Sequence, residues 1–219
     1  KFQRIISEMQ EADIKFLILQ ANIRKSELTS ADIVSLMNKL QEASKSQNKE
    51  IKGIEVSAYA SPDGSTELNT TLAEKREKVA VDFLNKELKK LKAESVIDSK
   101  FTPEDWDGFQ ELMKNSSIQD KNIILNVLSM YTDPEEREKE IKKISSAFKI
   151  IADEILPQLR RSKMKLNVDV IGKSNEQILD LAAKNPSALS AEEIIYAGTL
   201  VEDLNAKAEI YKQAVAIYP

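Results

Sequence analysis

The stretch from Gly53 to Lys92 constrains the fold more than any other. Gly53-Ile54-Glu55-Val56-Ser57-Ala58-Tyr59 alternates in side-chain character, and Ser61-Pro62-Asp63-Gly64-Ser65 turns it straight into a long helical stripe. A period of two predicts a strand with one buried face. In the turn Pro62 presets φ, Gly64 supplies a positive φ, and Ser65 or Thr66 can cap the helix beyond it. From Leu68 to about Lys92 the apolar residues Leu72, Val79, Phe83, Leu84, Leu88 and Leu91 recur on one side, predicting a helix.

A second strand–helix pair precedes this one. The apolar run Phe16–Leu19 within Asp13–Asn22 predicts a largely buried strand. Thr29 and Ser30 then stand, supplying an N-cap, before Ile33, Leu36, Met37 and Leu40, an i, i+3, i+4, i+7 stripe. Lys45–Lys52 reads as a polar connection. The third strand of this reading arrives late, at Met164–Ile171, where Leu166, Val168 and Val170 alternate with Asn167 and Asp169. Strands separated by helices in this order imply a sheet covered by helices on one face.

Between the second helix and that last strand lies an expected helical insertion, from about Phe101 to Arg160. Thr102-Pro103-Glu104-Asp105 has the form of a capping box, and Asp133-Pro134-Glu135 repeats the start signal. Ile141, Ile144, Phe148, Ile151 and Ile155 keep helical spacing up to Pro157. Beyond Gly172 the chain reads as helical, with Ser190 capping Ala191–Asp203 and a last helix through Ala206–Ile217. The expectation is an α+β domain over residues 1–172, with the insertion at about 101–160, followed by a helical segment over 173–219.

Composition narrows the chemistry. The 219 residues hold no His and no Cys. This excludes a Ser-His-Asp triad, a thiolate nucleophile, a disulfide framework and the usual zinc sites. A formal net charge of −4 argues against nucleic acid as partner. The five glycines form neither a phosphate loop nor a dinucleotide fingerprint, so no cofactor is expected. No apolar run approaches the roughly 20 residues needed to span a bilayer. Because the sequence opens on Lys and stops at Tyr-Pro, we read it as an excised piece whose signal or anchor lies elsewhere. Lack of Cys suits a compartment where stray disulfides form, but many cytosolic proteins of this size also lack it.

One residue breaks its own pattern. Arg76 lies four after Leu72 and four before Ala80, so a cation shares a stripe with core residues. Facing the Ser61–Ser65 turn, near the positive end of the helix dipole, it makes an anion site suited to a carboxylate. The plainer alternative pairs Arg76 with Asp63 or Glu55 and merely closes the turn. Ser65 and Asn69 are placed to donate to a ligand, and Tyr59 points from the strand end toward the same loop. Glu104, Asp105 and Asp107 around Trp106 are paired carboxylates in form, but a capping box beside a packing Trp accounts for them better.

These residues carry a resemblance. Ile54–Ser65 followed by Asn69, Leu72, Arg76 and Val79 resembles the C-terminal domain of the outer-membrane protein A (OmpA-like) family. That family's motif is a strand ending in Gly-x-(Thr/Ala)-Asp, a Gly-Ser loop, then Asn-x-x-Leu-(Ser)-x-x-Arg-Ala-x-x-Val. Asp13–Leu40 is similar to the family's first strand and helix, and the likeness covers about residues 1–95 and resumes at 164–171. It implies a βαβαβ sandwich that binds peptidoglycan without covalent attachment in the Gram-negative envelope, here with a helical insertion. In the family, an Asp at the strand end and the motif Arg hold the amino and carboxylate groups of diaminopimelate. Arg76 matches that Arg, but Ser61 stands where the Asp is expected and Asp63 follows two residues later. Zwitterion recognition is therefore weakened, moved to Asp63 or lost.

Tyr211, Ala214 and Pro219 also resemble the end of a tetratricopeptide repeat. The resulting expectation is a non-enzymatic envelope lipoprotein segment on the periplasmic face of the outer membrane. Its ligand is a peptidoglycan peptide held by Tyr59, Ser61, Asp63, Ser65, Asn69 and Arg76. The alternative is a protein-interaction scaffold that has lost peptidoglycan binding through Ser61 and holds partners through the insertion or tail. A carboxylate-only glycosidase is the third reading.

Overall fold

The computed structural model describes residues 2–219, with side chains throughout except at residues 145–147. It is a mixed α+β structure. Four strands, β1 (Ile5–Lys15), β2 (Lys49–Tyr59), β3 (Ile97–Thr102) and β4 (Arg161–Ile171), form one sheet in the order β1-β4-β2-β3. β3 lies parallel to β2, with Ile54 opposite Ile97 and Tyr59 opposite Thr102. β1 runs antiparallel to β4, since Gly172 N–H donates to Arg4 O while Phe16 N–H donates to Arg160 O.

After β1 come α1 (Lys25–Leu28) and α2 (Ala31–Lys45), and α3 (Thr66–Leu91) joins β2 to β3. The expected caps form: Ser30 Oγ accepts from Ile33 N–H and Ser65 Oγ from Leu68 N–H. Ile33, Leu36, Leu40 and Ala43 of α2 and Ala80, Leu84 and Leu88 of α3 pack into one core with Ala12, Ile14, Ile54, Val56, Met164, Leu166 and Val168. Both helices thus cover the same face of the sheet. The opposite face carries cross-strand ion pairs, Lys163 with Glu11 and Lys165 with Glu55.

Two expectations about strands need correction. The first strand ends at Lys15 rather than covering Asp13–Asn22. Its buried set is Ala12 and Ile14, continued by Phe16, with period two, whereas Leu17, Ile18 and Leu19 are exposed in a loop where Leu19 takes φ +57°. Contiguous apolar residues cannot all face one core from a pleated strand. The structure also contains β3, which the sequence reading leaves without a strand. It is a largely exposed edge strand, Ile-Asp-Ser-Lys-Phe-Thr, so its periodicity carries little apolar contrast.

The insertion is helical, as α4 (Trp106–Asn115), α5 (Lys121–Met130), α6 (Pro134–Lys143), α7 (Ser145–Ile150), a π-helical turn (Ile151–Ile155) and α8 (Leu156–Leu159). Its own core gathers Phe109, Met113, Ile124, Leu128, Ile141, Ile151, Ile155, Leu156 and Leu159. Asp133 caps α6 as expected. The first box does not form: Thr102 completes β3, its carbonyl accepting from Ala60 N–H, and the α4 cap is Asp105, which accepts from Gly108 N–H at 2.9 Å. Pro157 has no N–H to continue the α-helical ladder, and the wider turn just before it closes with Leu156 N–H on Ile151 O.

A smaller unit comprises Lys1–Glu8, Gln47–Glu50 and Asp169–Pro219. It contains α9 (Asn175–Lys184), α10 (Ala191–Leu200) and α11 (Leu204–Ile217), with capping boxes at Ser174 and Ser190. Ile178, Ala182, Leu189, Ile194, Ala197 and Ala214 form its core, and Phe2 stacks on Tyr196. Among the described residues no helix is long and apolar enough to cross a membrane.

Candidate functional site

A pocket of about 330 Å³ opens at the C-terminal end of β2, inside the larger unit. Ala60, Ser61, Asp63 and Gly64 of the turn form its floor, with Asn69, Leu72 and Arg76 of α3. Ile18 and Leu19 of the loop after β1 make one wall; Glu138, Lys142, Phe148 and Arg160 of the insertion make the other. The exposed apolar run that failed as a strand therefore serves as a pocket wall.

Arg76 is the largest fully buried side chain, 1% exposed. Its Nε donates to Gln20 O at 3.0 Å, one terminal nitrogen to Tyr59 O at 2.9 Å, and the other to Leu17 O at 3.4 Å. The guanidinium thus ties the loop after β1 to the end of β2, with Phe16 5.2 Å beneath it. Neither carboxylate of the plainer alternative holds it: Asp63 bonds Arg160, and Glu55 bonds Lys165 and Asn167. Two of its five N–H groups remain beyond the three carbonyl contacts. Burial first, and then the charge of Arg160, push its pKa down to about 10, while Asp63 acts the other way. It remains a cation at neutral pH. The helix dipole has no part in this, because α3 begins at Thr66 and Arg76 lies about 15 Å of helical rise beyond it.

Arg160, the residue before β4, is a second buried guanidinium that the sequence reading does not single out. Its Nε donates to Ser61 Oγ at 3.1 Å and a terminal nitrogen to Asp63 Oδ2 at 3.2 Å, while Asp63 Oδ1 is buried without a partner. The next residue, Arg161, points the other way, as consecutive residues of extended chain must. It reaches Asp105 at 2.9 Å and lies over the Tyr59 ring at 4.6 Å. The only sequence signal for Arg160 is its position directly after the buried stripe Ile151, Ile155, Leu156, Leu159.

The remaining insertion residues complete the wall. Gly64, at φ +110°, gives its N–H to Glu138 Oε1 at 3.0 Å, a backbone conformation that a side chain would strain. Lys142 pairs with the same oxygen at 2.6 Å. Of the charged side chains lining the pocket, three are cations (Arg76, Arg160, Lys142) and two are carboxylates (Asp63, Glu138), leaving one positive charge in excess.

Of the six residues expected at a site, Ser61, Asp63, Asn69 and Arg76 line this pocket. Asn69, 2% exposed, donates to Gly64 O and Glu104 Oε1, both at a long 3.4 Å. Ser65 lies outside the lining and is spent on capping α3, and the Tyr59 side chain sits under Arg161, so only its carbonyl belongs to the site. Glu104 accepts from Thr66, Asn69 and Trp106, a scaffolding role that accounts for one carboxylate of that cluster. Among the described residues no group of three or more carboxylates is placed to hold a metal ion. The chain matches no protein-family model and no curated protein sequence.

Proposed function

We propose that this chain is a non-catalytic cell-envelope module of the OmpA-like kind, docking a peptidoglycan stem peptide by a carboxylate at Arg76. The observation that carries the reading is a fully buried arginine, held by three backbone carbonyls and bonded to neither pocket carboxylate, that lines a pocket. A buried charge is stable only when its surroundings answer it. Three carbonyls answer it partly, and an incoming carboxylate facing its remaining N–H groups completes the set. Ile18, Leu19, Leu72 and Phe148 supply apolar surface for the body of the peptide, and Asn69 lines the same pocket with its NH2 group held by Gly64 O and Glu104 Oε1. The motif spacing from Gly64-Ser65 to Asn69, Leu72 and Arg76 is the reason to name peptidoglycan as carrier and the periplasmic face of the outer membrane as location.

The test is titration of muropeptides, with co-sedimentation on isolated peptidoglycan, for wild type, Arg76→Ala and Asn69→Ala. Wild type is expected to bind. Arg76→Ala is expected to lose binding by a factor of at least about ten. Because that variant strands three carbonyls, thermal melts accompany it and Asn69→Ala serves as the milder probe. No binding by wild type at millimolar muropeptide ends the peptidoglycan reading.

A second reading, a scaffold for protein partners, is favoured by the C-terminal helix pair. There Ile195, Leu204 and Val215 are 54%, 77% and 70% exposed, and Ala191, Ile195, Tyr211, Ala214, Val215 and Tyr218 line an apolar groove of about 340 Å³. Cross-linking through residues 174–219 in the native envelope discriminates: capture of peptidoglycan and no defined protein ends this reading.

A further inference from the structure

We infer that the pocket reads a carboxylate with no ammonium beside it, such as the C-terminus of a peptide, because Arg160 already occupies the place where a ligand's ammonium would be answered. The inference rests on Arg76 as carboxylate anchor, and not on peptidoglycan as carrier.

A zwitterionic head group needs a cation site and an anion site side by side. Asp63 is the only turn carboxylate lining the pocket, and its Oδ2 takes the Arg160 guanidinium at 3.2 Å. The same guanidinium donates to Ser61 Oγ at 3.1 Å, in a contact 93% or more buried on both sides. The built-in cation is therefore held by two partners and answers the charge of Asp63 at Oδ2, with Oδ1 buried and unpartnered. Glu138 is likewise engaged at Oε1, by Lys142 and by Gly64 N–H. A zwitterion adds no net charge and leaves the pocket's excess positive charge in place; a simple carboxylate cancels it. With two buried guanidinia in the lining, that difference favours the simple carboxylate. The two guanidinia also repel each other: after burial, the charge of Arg160 is the next cause that lowers the Arg76 pKa, and an anion between them relieves both.

Three probes separate the cases by NMR titration of the full chain: N-acetylalanine (carboxylate alone), alanine (zwitterion) and alaninamide (ammonium alone). N-acetylalanine is expected to shift the Gly64, Asn69 and Leu72 amides and to bind at least as tightly as alanine, while alaninamide leaves them unmoved. Arg160→Gln uncovers Asp63 and is expected to reverse the preference toward alanine by about ten-fold. Should Arg160→Gln fail to fold, Asp63→Asn keeps the shape, removes the negative charge and is expected to tighten N-acetylalanine at least about three-fold. The inference is overturned if alanine binds about ten-fold more tightly than N-acetylalanine in wild type, if inorganic phosphate matches N-acetylalanine, or if no probe moves the pocket amides. Failure here with peptidoglycan still sedimenting the protein leaves the envelope reading standing. Probe binding without sedimentation removes peptidoglycan and keeps the carboxylate site.

Discussion

At the scale of the residue, burial decides what each charge contributes. Arg76 was legible because a cation interrupts an apolar stripe four residues from each neighbour; its carbonyl partners were not, since they lie 17 to 59 positions away. Arg160 was illegible altogether, because its partner Ser61 is 99 residues distant and nothing local distinguishes it from Arg161. Asp13 shows the same dependence on surroundings. Burial raises its pKa, outweighing the attraction of Arg161, Lys163 and Lys15. A carboxyl whose folded pKa exceeds its unfolded value favours folding below the unfolded pKa, and that contribution is lost as pH rises through the folded one. Asp13→Asn, which resembles the protonated form, is therefore expected to raise the melting temperature at pH 7 and leave it unchanged near pH 3. Equal effects at both pH values in paired melts would show that lost packing, and not ionisation, is what the substitution removes.

At the scale of the element, local signals held wherever the element meets a core on one side. The stripes of α2 and α3 and the caps at Ser30, Ser65, Asp133 and Ser190 all act within four residues of their partners. The first strand was misplaced because an apolar run resembles a buried strand whether it faces a core or a pocket. β3 was missed because an edge strand needs few apolar residues. In the smaller unit, α10 meets α11 through Gly198, where an added Cβ would stand 2.3 Å from the Tyr211 ring. Gly198→Ala gains about 1 kcal/mol of helix propensity but overpacks by about 1–3 kcal/mol, so net destabilisation is expected. In a Tyr211→Ala background the clash is absent, and the same substitution is expected to stabilise by about 1 kcal/mol. Denaturant unfolding of the four proteins of that cycle checks the reversal of sign; a constant sign means the two side chains are not coupled.

At the scale of the whole molecule, the apolar interior is divided. The sheet core under α2 and α3 and the core of the insertion are separate clusters inside the larger unit, and the smaller unit has a third. Separate cores allow separate opening. Ile124→Ala, which empties a fully buried site in the insertion, is expected to cost about 3 kcal/mol. Hydrogen exchange should lose protection across residues 106–159 while the amides of β2 and β4 keep theirs. A uniform loss over the larger unit would show that both cores melt as one.

By itself the sequence determined the helices of the sheet layer and of the insertion, the strands that alternate over a buried face, the turn that starts α3 and the anomaly at Arg76. Each rests on contacts between residues a few positions apart, where period and cap chemistry are written directly. Only the tertiary structure decided that β3 closes the sheet edge, that Ile18 and Leu19 wall a pocket, and that the insertion delivers Arg160, Glu138 and Lys142 to the pocket beside the Ser61–Gly64 turn. The contacts of the insertion with that turn span 74 to 99 residues. No local period encodes them, and it is the sum of their charges that makes the pocket receptive to an anion.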